Sequence, residues 1–511
     1  MAFITPASCT QRSLSRLLAL PPHIRRNLYS TAASSSKPEI YDLVCIGGGP
    51  AGLSLISALR SNPSTRNLKI ALIDSQELSP RTSNDPNNYS NRCSSLTPSS
   101  VSFLQQNGAW DHIDVSRVQP YHSMDVWDGV SGSKIQFDPM SSGGSILDSI
   151  AQMIPGSRLA ESRRHDIVEV ATMCENSNLT SGLLQRLGQA GVAVETLDKT
   201  KVQSIELGPE PVDEKSLDLS QWPIVTLPDN RSLAARLLVG ADGANSPVRQ
   251  FAGISSHGWD YNQHGVVATL QLDRAFSEFD LRTAYQRFLP TGPIALLPLP
   301  GNKASLVWSI SAQHAPRVKQ MTPPELVEMV NAAFRLMTVD INYLLTNPSA
   351  SPSEELSWRE SNTEAVETGL PSSLPRVIGI QEGTVASFPL RMRHASTYTG
   401  HRVALIGDAA HTIHPLAGQG LNLGLADAEA LAKLVARGVD HGMDIGSCWC
   451  LDDYDSKRWA ANNAMLGVVD KLQKLYSASS GPVVWGRSLG LDLVNKLAPL
   501  KGALMGAAAG R

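Results

Sequence analysis

The chain has 511 residues, 42% of them hydrophobic and 18% charged, the balance of a globular protein with room for a large core and two joined subdomains. Its formal net charge of −3 implies no nucleic-acid partner, and no apolar run reaches the ~18 residues of a membrane-spanning helix. The cysteines, Cys9, Cys45, Cys93, Cys174, Cys448 and Cys450, are scattered without CxxC spacing, which argues against a zinc site and for a reducing compartment.

The first segment differs from the rest. Arg12, Arg16, Arg25 and Arg26 occur with no acid before Glu39, serine and threonine are frequent, and Leu14, Leu17 and Leu18 can share one face of a short helix. Residues 1–36 are therefore expected to be a mitochondrial transit peptide, cleaved between Leu28 and Ser36. The alternative is a basic tail on a cytosolic protein.

Ile40 to Ile46 reads as a buried strand, Gly47-Gly48-Gly49-Pro50-Ala51-Gly52 as a GxGxxG turn, and Leu53 to Leu59 as a helix. Gly47 suits the tight turn, Gly49 the close approach of a pyrophosphate, and Gly52 the packing of helix on strand. A second strand, Leu68 to Ile73, ends in Asp74, at the usual distance (about 20 residues) for a ribose-binding acid. A purely structural βαβ turn is the competing reading.

Pro80 to Asn91 is a polar loop and Val101 to Leu104 helical. Residues 120 to 145 alternate as a hairpin, Leu179 to Gly188 has the spacing of a packed helix, and Val192–Val194 and Lys201–Ile205 read as strands. Gly208 to Trp222 carries acids and prolines and reads as a solvated hairpin insertion rather than a metal site. Leu237 to Val239 runs into Asp242-Gly243. Strands at Val266–Leu272, Ala284–Phe288, Ile294–Leu299 and Ala304–Ser309 predict a mostly antiparallel sheet. A helix follows over Pro323–Met337, capped by Thr322.

Val403 to Ile406 is a further strand ending in Gly407-Asp408, and His414 to Gly424, which follows it, is the most informative stretch of all. The glycines at 418, 420 and 424, with Pro415 and Gln419, describe backbone that must come close to a flat polar ligand. A helix starts near Leu421, and its free N–H groups can hold negative charge. Further helices are predicted over Ala426–Arg437 and Asp452–Val469. Arg487 to Leu504 is an amphipathic stretch suited to a membrane surface, a partner or its own domain. His411 and His414 lack the further ligands that a metal would need. Aspartates at three strand ends, Asp74, Asp242 and Asp408, spread over most of the chain, imply one large cofactor gripped by a whole domain.

These motifs together, with His414-Pro415 through Gly418-Gln419-Gly420-Leu421-Asn422, resemble the aromatic-ring flavoprotein monooxygenases. Within them, the chain is most similar to the ubiquinone-biosynthesis hydroxylases of mitochondria, over Tyr41 to Leu500. The resemblance implies an α/β fold: a Rossmann-like FAD-binding domain of the p-hydroxybenzoate hydroxylase type over 40–119, 146–255 and 400–435. Interleaved with it is a mostly antiparallel β-sheet substrate domain over 120–145 and 256–399, followed by a C-terminal helical region over 436–511. It implies noncovalent FAD held by Gly47, Gly49, Gly52, Asp74, Arg92, Val202, Asp242, Gly407, Asp408, Pro415, Gly418, Gly420, Leu421 and Asn422. The backbone of Val202 would lie beside the adenine, Pro415 on the ring face, and the N–H groups of Leu421 and Asn422 at the pyrimidine edge. Tyr285 and Arg287 share one strand face and are candidates for orienting the substrate, with no catalytic base or metal assigned.

The implied reaction is O2-dependent hydroxylation, through a flavin hydroperoxide, of a polyprenylated 4-hydroxybenzoate-type ring at position 5. Electrons would come from ferredoxin and its reductase or from NAD(P)H. The implied setting is peripheral, on the matrix side of the mitochondrial inner membrane, in a complex with other ubiquinone-biosynthesis proteins. Two further readings stand beside it: an NAD(P)H-dependent hydroxylase of a small soluble phenol, and an FAD-binding reductase or structural subunit.

Overall fold

The computed structural model describes residues 37–80, 85, 87–137, 169–211, 217–273, 282–347, 350–363, 368–415 and 418–477. The expected transit segment 1–36 and the stretch Arg487–Leu504 lie outside the described residues.

Strand Glu39–Ile46 carries Leu43, Val44 and Cys45 with no exposed surface. A strand apolar on both faces belongs inside a parallel sheet. Leu43 accordingly pairs in parallel with Leu237 on one side and Ile70 on the other. Across this sheet the order is Thr399–Gly400, Val403–Leu405, Ser232–Gly240, Glu39–Ile46, Ile70–Ile73 and Glu195–Leu197. The ends of the strands at Ile46, Gly240 and Leu405 thus lie side by side, although most of the chain separates the first from the last. Helices Pro50–Ser61 and Gly420–Asp440 pack on each other, and Leu53, Ile56, Leu59, Leu425, Leu431 and Val435 join one apolar core with the strands. Full burial of each such side chain contributes about 1.5–3 kcal/mol, so these helices are held mainly by packing.

The second sheet runs His411–Thr412, Ala386–Ala395, Ser256–Leu272, Lys303–Ser311, Ile294–Leu299, Thr283–Phe288, Ser123–Asp128 and Lys134–Phe137. Its neighbours are antiparallel except Thr283–Phe288 beside Ser123–Asp128. Alternation divides its two faces. Val266, Ala268, Leu270, Leu306, Trp308 and Ile310 pack under a helical layer that includes Pro323–Arg335, a helix begun by a capping box of Thr322 and Glu325. The opposite face carries Ala284, packed with Tyr121 and Met173, and Phe288, packed with Ile413 and Tyr476.

Some elements differ from expectation. Cys93–Leu96, Ala171–Glu175 and Gln119–Tyr121 form a small antiparallel sheet. Its short strands contain serine, threonine and proline and lack the alternation that announces a strand. The strand expected at Val192–Val194 lies at Glu195–Leu197, and that expected at Lys201–Ile205 at Ser204–Leu207, which leaves Val202 in a loop. The last helix extends over Cys448–Ser477. Among the described residues, no helix is long and apolar enough to cross a membrane.

Candidate functional site

The first glycine turn divides its labour. Gly47 has φ +111°, and a Cβ there would stand 2.1 Å from the Ala241 carbonyl oxygen. A Cβ on Gly52 would stand 2.1 Å from the Gly47 carbonyl oxygen, so Gly52 serves packing behind the cleft. A Cβ on Gly49 would meet nothing within 4 Å. Gly49 also caps helix Pro50–Ser61 without a side-chain acceptor, and the first-turn N–H groups are left facing the space it opens.

That space is a cleft of about 750 Å³, whose lining includes Gly47, Gly49, Asp74, Arg92, Val202 and Asp242. Asp74 accepts hydrogen bonds from the N–H groups of Gly48 (2.6 Å) and Gln76 (2.7 Å). Asp242 Oδ2 accepts from Val248 N–H at 3.1 Å, while its Oδ1 is buried with no partner among the described residues. Burial raises the Asp242 pKa against the pull of Ser246 and Val248. The exposed Arg92 guanidinium makes no hydrogen bond or ion pair among the described residues.

The second turn begins at Gly407, in the left-handed region at φ +60°. A Cβ added to Gly407 would come within 3.3 Å of the Ala51 Cβ, and one added to Gly424 within 3.3 Å of the Gly407 Cα. The start of helix Pro50–Ser61, the Gly407 turn and helix Gly420–Asp440 therefore converge on small residues. The Asp408 side chain reaches solvent, yet the protein around it raises its pKa, partly offset by His411; both hold for a carboxylate on a concave wall. Gly418, at φ +61°, donates its N–H to the Pro415 carbonyl at 3.0 Å; Leu416 and Ala417 lie outside the described residues. The helix starts at Gly420, which puts the Leu421 and Asn422 N–H groups in its first turn, where the helix offers no acceptor. The Asn422 side chain anchors this helix start: it accepts from Thr97 N–H (3.0 Å) and Ser100 O–H (2.8 Å) and donates to Ser95 O (2.8 Å).

The two histidines have protein partners. His411 Nε2 lies 2.5 Å from Asp427 Oδ2, with neither side chain exposed. His414 Nε2 lies 3.3 Å from Gln263 Oε1, and its ring meets Tyr261 edge-on at 4.9 Å. Burial lowers the His414 pKa to about 4, so the ring is neutral at pH 7.

Tyr285 and Arg287 are the two candidates for orienting the substrate. They do share a face, but it is the one beneath the helices. The Tyr285 hydroxyl bonds to Ser373 (3.0 Å), and Arg287, fully buried, donates from Nη1 to the Ala333 carbonyl (3.0 Å). Gln286 and Phe288 occupy the other face, where Phe288 stacks on Tyr476 at 3.9 Å, beside Ile413 of the glycine loop. Alternation separates two faces but cannot say which one the neighbouring sheet will approach.

Sequence reasoning also missed Arg249, whose guanidinium donates to Ala409 O and Ala244 O, both at 2.7 Å, and so ties the Asp242-Gly243 turn to the Gly407-Asp408 turn. It missed Asp427 as well: an acid inside the apolar pattern of a strongly predicted helix was the available signal, since a charge is buried only where it is paired.

Fold and cleft together define a flavoprotein of the FAD-binding, aromatic-hydroxylase architecture. A family model described as an FAD binding domain matches residues 41–347 and 339–468. The fold is shared with p-nitrophenol 4-monooxygenase PnpA of Pseudomonas putida (TM-score 0.59, 18% identity, 92% of this chain and 97% of that one). It is also shared with PqsL of Pseudomonas aeruginosa, described as a probable FAD-dependent monooxygenase (TM-score 0.56, 19% identity, 89% of this chain and 100% of that one). The mitochondrial ubiquinone biosynthesis monooxygenase COQ6 of Saccharomyces cerevisiae is 36% identical over 98% of both chains. That of Xenopus tropicalis is 37% identical over 96% of this chain and 97% of its own, and the human one 34% over 93% of each. The chain belongs to the FAD-binding-domain family and, within it, to the ubiquinone biosynthesis monooxygenases.

Proposed function

We propose that this protein is an FAD-dependent, mitochondrial monooxygenase of ubiquinone biosynthesis that hydroxylates the aromatic ring of a polyprenylated 4-hydroxybenzoate-type intermediate at position 5. The carrying observation is the convergence of two glycine turns on Ala51, Gly407 and Gly424, which suits one long dinucleotide reaching from one helix start to the other. Three features of the site fit FAD: the open space in front of Gly49 and, among the described residues, an Asp242 Oδ1 and an Arg92 guanidinium without hydrogen-bond partners.

Bound there, FAD supplies the redox chemistry by which one atom of O2 is delivered to an electron-rich ring. The start of helix Pro50–Ser61 receives the pyrophosphate, Asp74 the adenosine ribose, and the Val202 backbone the adenine. Arg92 and Asp242 close that cleft, and Asp408 binds the ribityl or pyrophosphate region. Pro415 lines the ring face, with Gly418 and Gly420 clearing the approach. The Leu421 and Asn422 N–H groups favour negative charge at the pyrimidine edge. Phe288, Ile413, Leu466, Val469 and Tyr476 exclude water next to the loop, and Gln286 and Phe288, on the same strand face, form part of the substrate wall.

Electrons reach the site from ferredoxin and its reductase or from NAD(P)H. The enzyme works peripherally on the matrix side of the inner membrane with other proteins of the pathway. The test supplies protein reconstituted with FAD with a prenylated phenol and isotopically labelled O2, reduced by either donor. Label in the ring with the ferredoxin system is the expected result. NADPH oxidation accelerated by a soluble phenol, with no label in the prenylated ring, would replace this reading with that of a soluble-phenol hydroxylase.

A further inference from the structure

We infer that Asp427 is a positioning residue for FAD: one buried carboxylate that pins both ends of the Gly407–His411 segment, with Arg458 as its counter-charge. The inference rests on the FAD reading and concerns how this chain shapes the second turn.

Asp427 lies in helix Gly420–Asp440 and has no exposed surface. Oδ2 accepts from Gly407 N–H (3.1 Å) and lies 2.5 Å from His411 Nε2. Oδ1 accepts from Arg458 Nε (2.8 Å) and Asn462 Nδ2 (3.0 Å), both on the last helix. The carboxylate is thus saturated by donors of opposite destinations. One oxygen serves the cofactor turn and the other serves the scaffold.

Burying a carboxylate costs several kcal/mol before its partners compensate, and an apolar pair can join two helices equally well. What hydrocarbon could not satisfy is the Gly407 N–H. It sits in a left-handed turn, directed inward, and an unpaired buried N–H costs about 1–3 kcal/mol. Satisfying it from Oδ2 holds the turn that projects Asp408. Gripping His411 with the same oxygen holds the strand that leads into His414-Pro415. Burial pushes the Asp427 pKa up, but His411 and then Arg458 together outweigh it and draw it down, which keeps the acceptor charged.

The full chain carrying Asp427→Asn tests this. The substitution is isosteric, but its amide nitrogen must confront one of the donors. FAD affinity is measured by fluorescence titration of the apo-protein, alongside apo-protein Tm and the visible circular dichroism of bound flavin. The expected result is a Kd raised about ten-fold or more with altered flavin dichroism. Arg458→Gln, which removes one scaffold donor and leaves both donors of the cofactor turn in place, serves as the matched control: it lowers Tm comparably but raises the Kd by less than about three-fold. A Kd unchanged by Asp427→Asn, or changes in the two variants that simply follow their Tm losses, overturns the inference. Should Asp427→Asn fail to fold, Asp427→Glu keeps the charge and displaces it by one methylene; a folded Asp427→Glu protein with wild-type Kd and flavin dichroism overturns it equally. Wild-type protein that binds no FAD would instead defeat the cofactor reading.

Discussion

The turn at Gly47–Gly52 and the turn from Gly407 to Gly420 meet in space, yet they are held by different means. The first is shaped by backbone: Gly47 against Ala241 O, and Gly52 against Gly47 O, each leaving no room for a Cβ. The second is shaped by polar side chains: Asp427, Arg249 and Gln263 reach into it, and Asn422 ties its far end to Ser95. Steric exclusion needs only glycine against fixed backbone and is insensitive to pH. A turn held by buried polar groups depends on every partner and on their ionisation. On the proposed FAD placement, the adjustable part of the site is the ring end and the rigid part the pyrophosphate end.

The largest expected effect separates roles within the first turn. Gly47→Ala should destabilise the apo-protein by roughly 2–5 kcal/mol, from a positive φ plus a backbone clash. Gly49→Ala should leave apo-protein stability within about 0.5 kcal/mol, because φ is −74° there and nothing lies near the new Cβ; FAD affinity should nonetheless fall about ten-fold. Urea unfolding of the apo-proteins and FAD titration report both, and equal stability losses would break the contrast.

On the second turn, Asp408→Ala should weaken FAD binding roughly ten- to a hundred-fold, the loss of a charged hydrogen bond. Protein that purifies yellow and active would remove Asp408 from the site. His414 adds a pH dependence. Its folded pKa, about 4, lies below the ordinary 6.5, so the folded state resists the proton that the unfolded chain accepts. The stability tied to its neutral form is complete above pH ~6.5 and is lost as pH falls toward 4, by about 2 kcal/mol at pH 5. Unfolding free energies measured from pH 7 to 5 should fall accordingly, and His414→Gln should flatten the slope; an unaltered slope would show that the ring titrates normally.

The smallest effect is expected at Arg287. Arg287→Met removes a buried guanidinium whose Nε and Nη2 have no partner among the described residues. Stability should change by less than about 1 kcal/mol or rise, and kcat should stay within about two-fold, because the side chain points into the helical layer. A large loss of kcat with FAD still bound would return Arg287 to the substrate wall.

Much of the cofactor end was legible because its signals are local. A buried strand, three spaced glycines and an acid at the next strand end are each decided by the residues present, through sterics and backbone chemistry. The Asp-Gly and Gly-Asp strand ends and the glycines before Leu421 are local in the same sense, whereas Arg92 and Val202, which also line the cleft, followed only from the family resemblance. The small sheet at Cys93–Leu96 was not legible: its strands have no apolar alternation and exist because Ala171–Glu175 lies beside them.

By itself, then, the sequence determined the parallel strand ends, the glycine turns and the alternation of the second sheet. Tertiary structure alone decided that Tyr285 and Arg287 face helices while Phe288 faces the loop, and that the acid at 427 reaches Gly407 across 20 residues of chain. The reason is physical. Periodicity assigns a residue to one side of an element at no cost in chain entropy, whereas the identity of what lies on that side depends on long-range contacts whose energy no short segment contains.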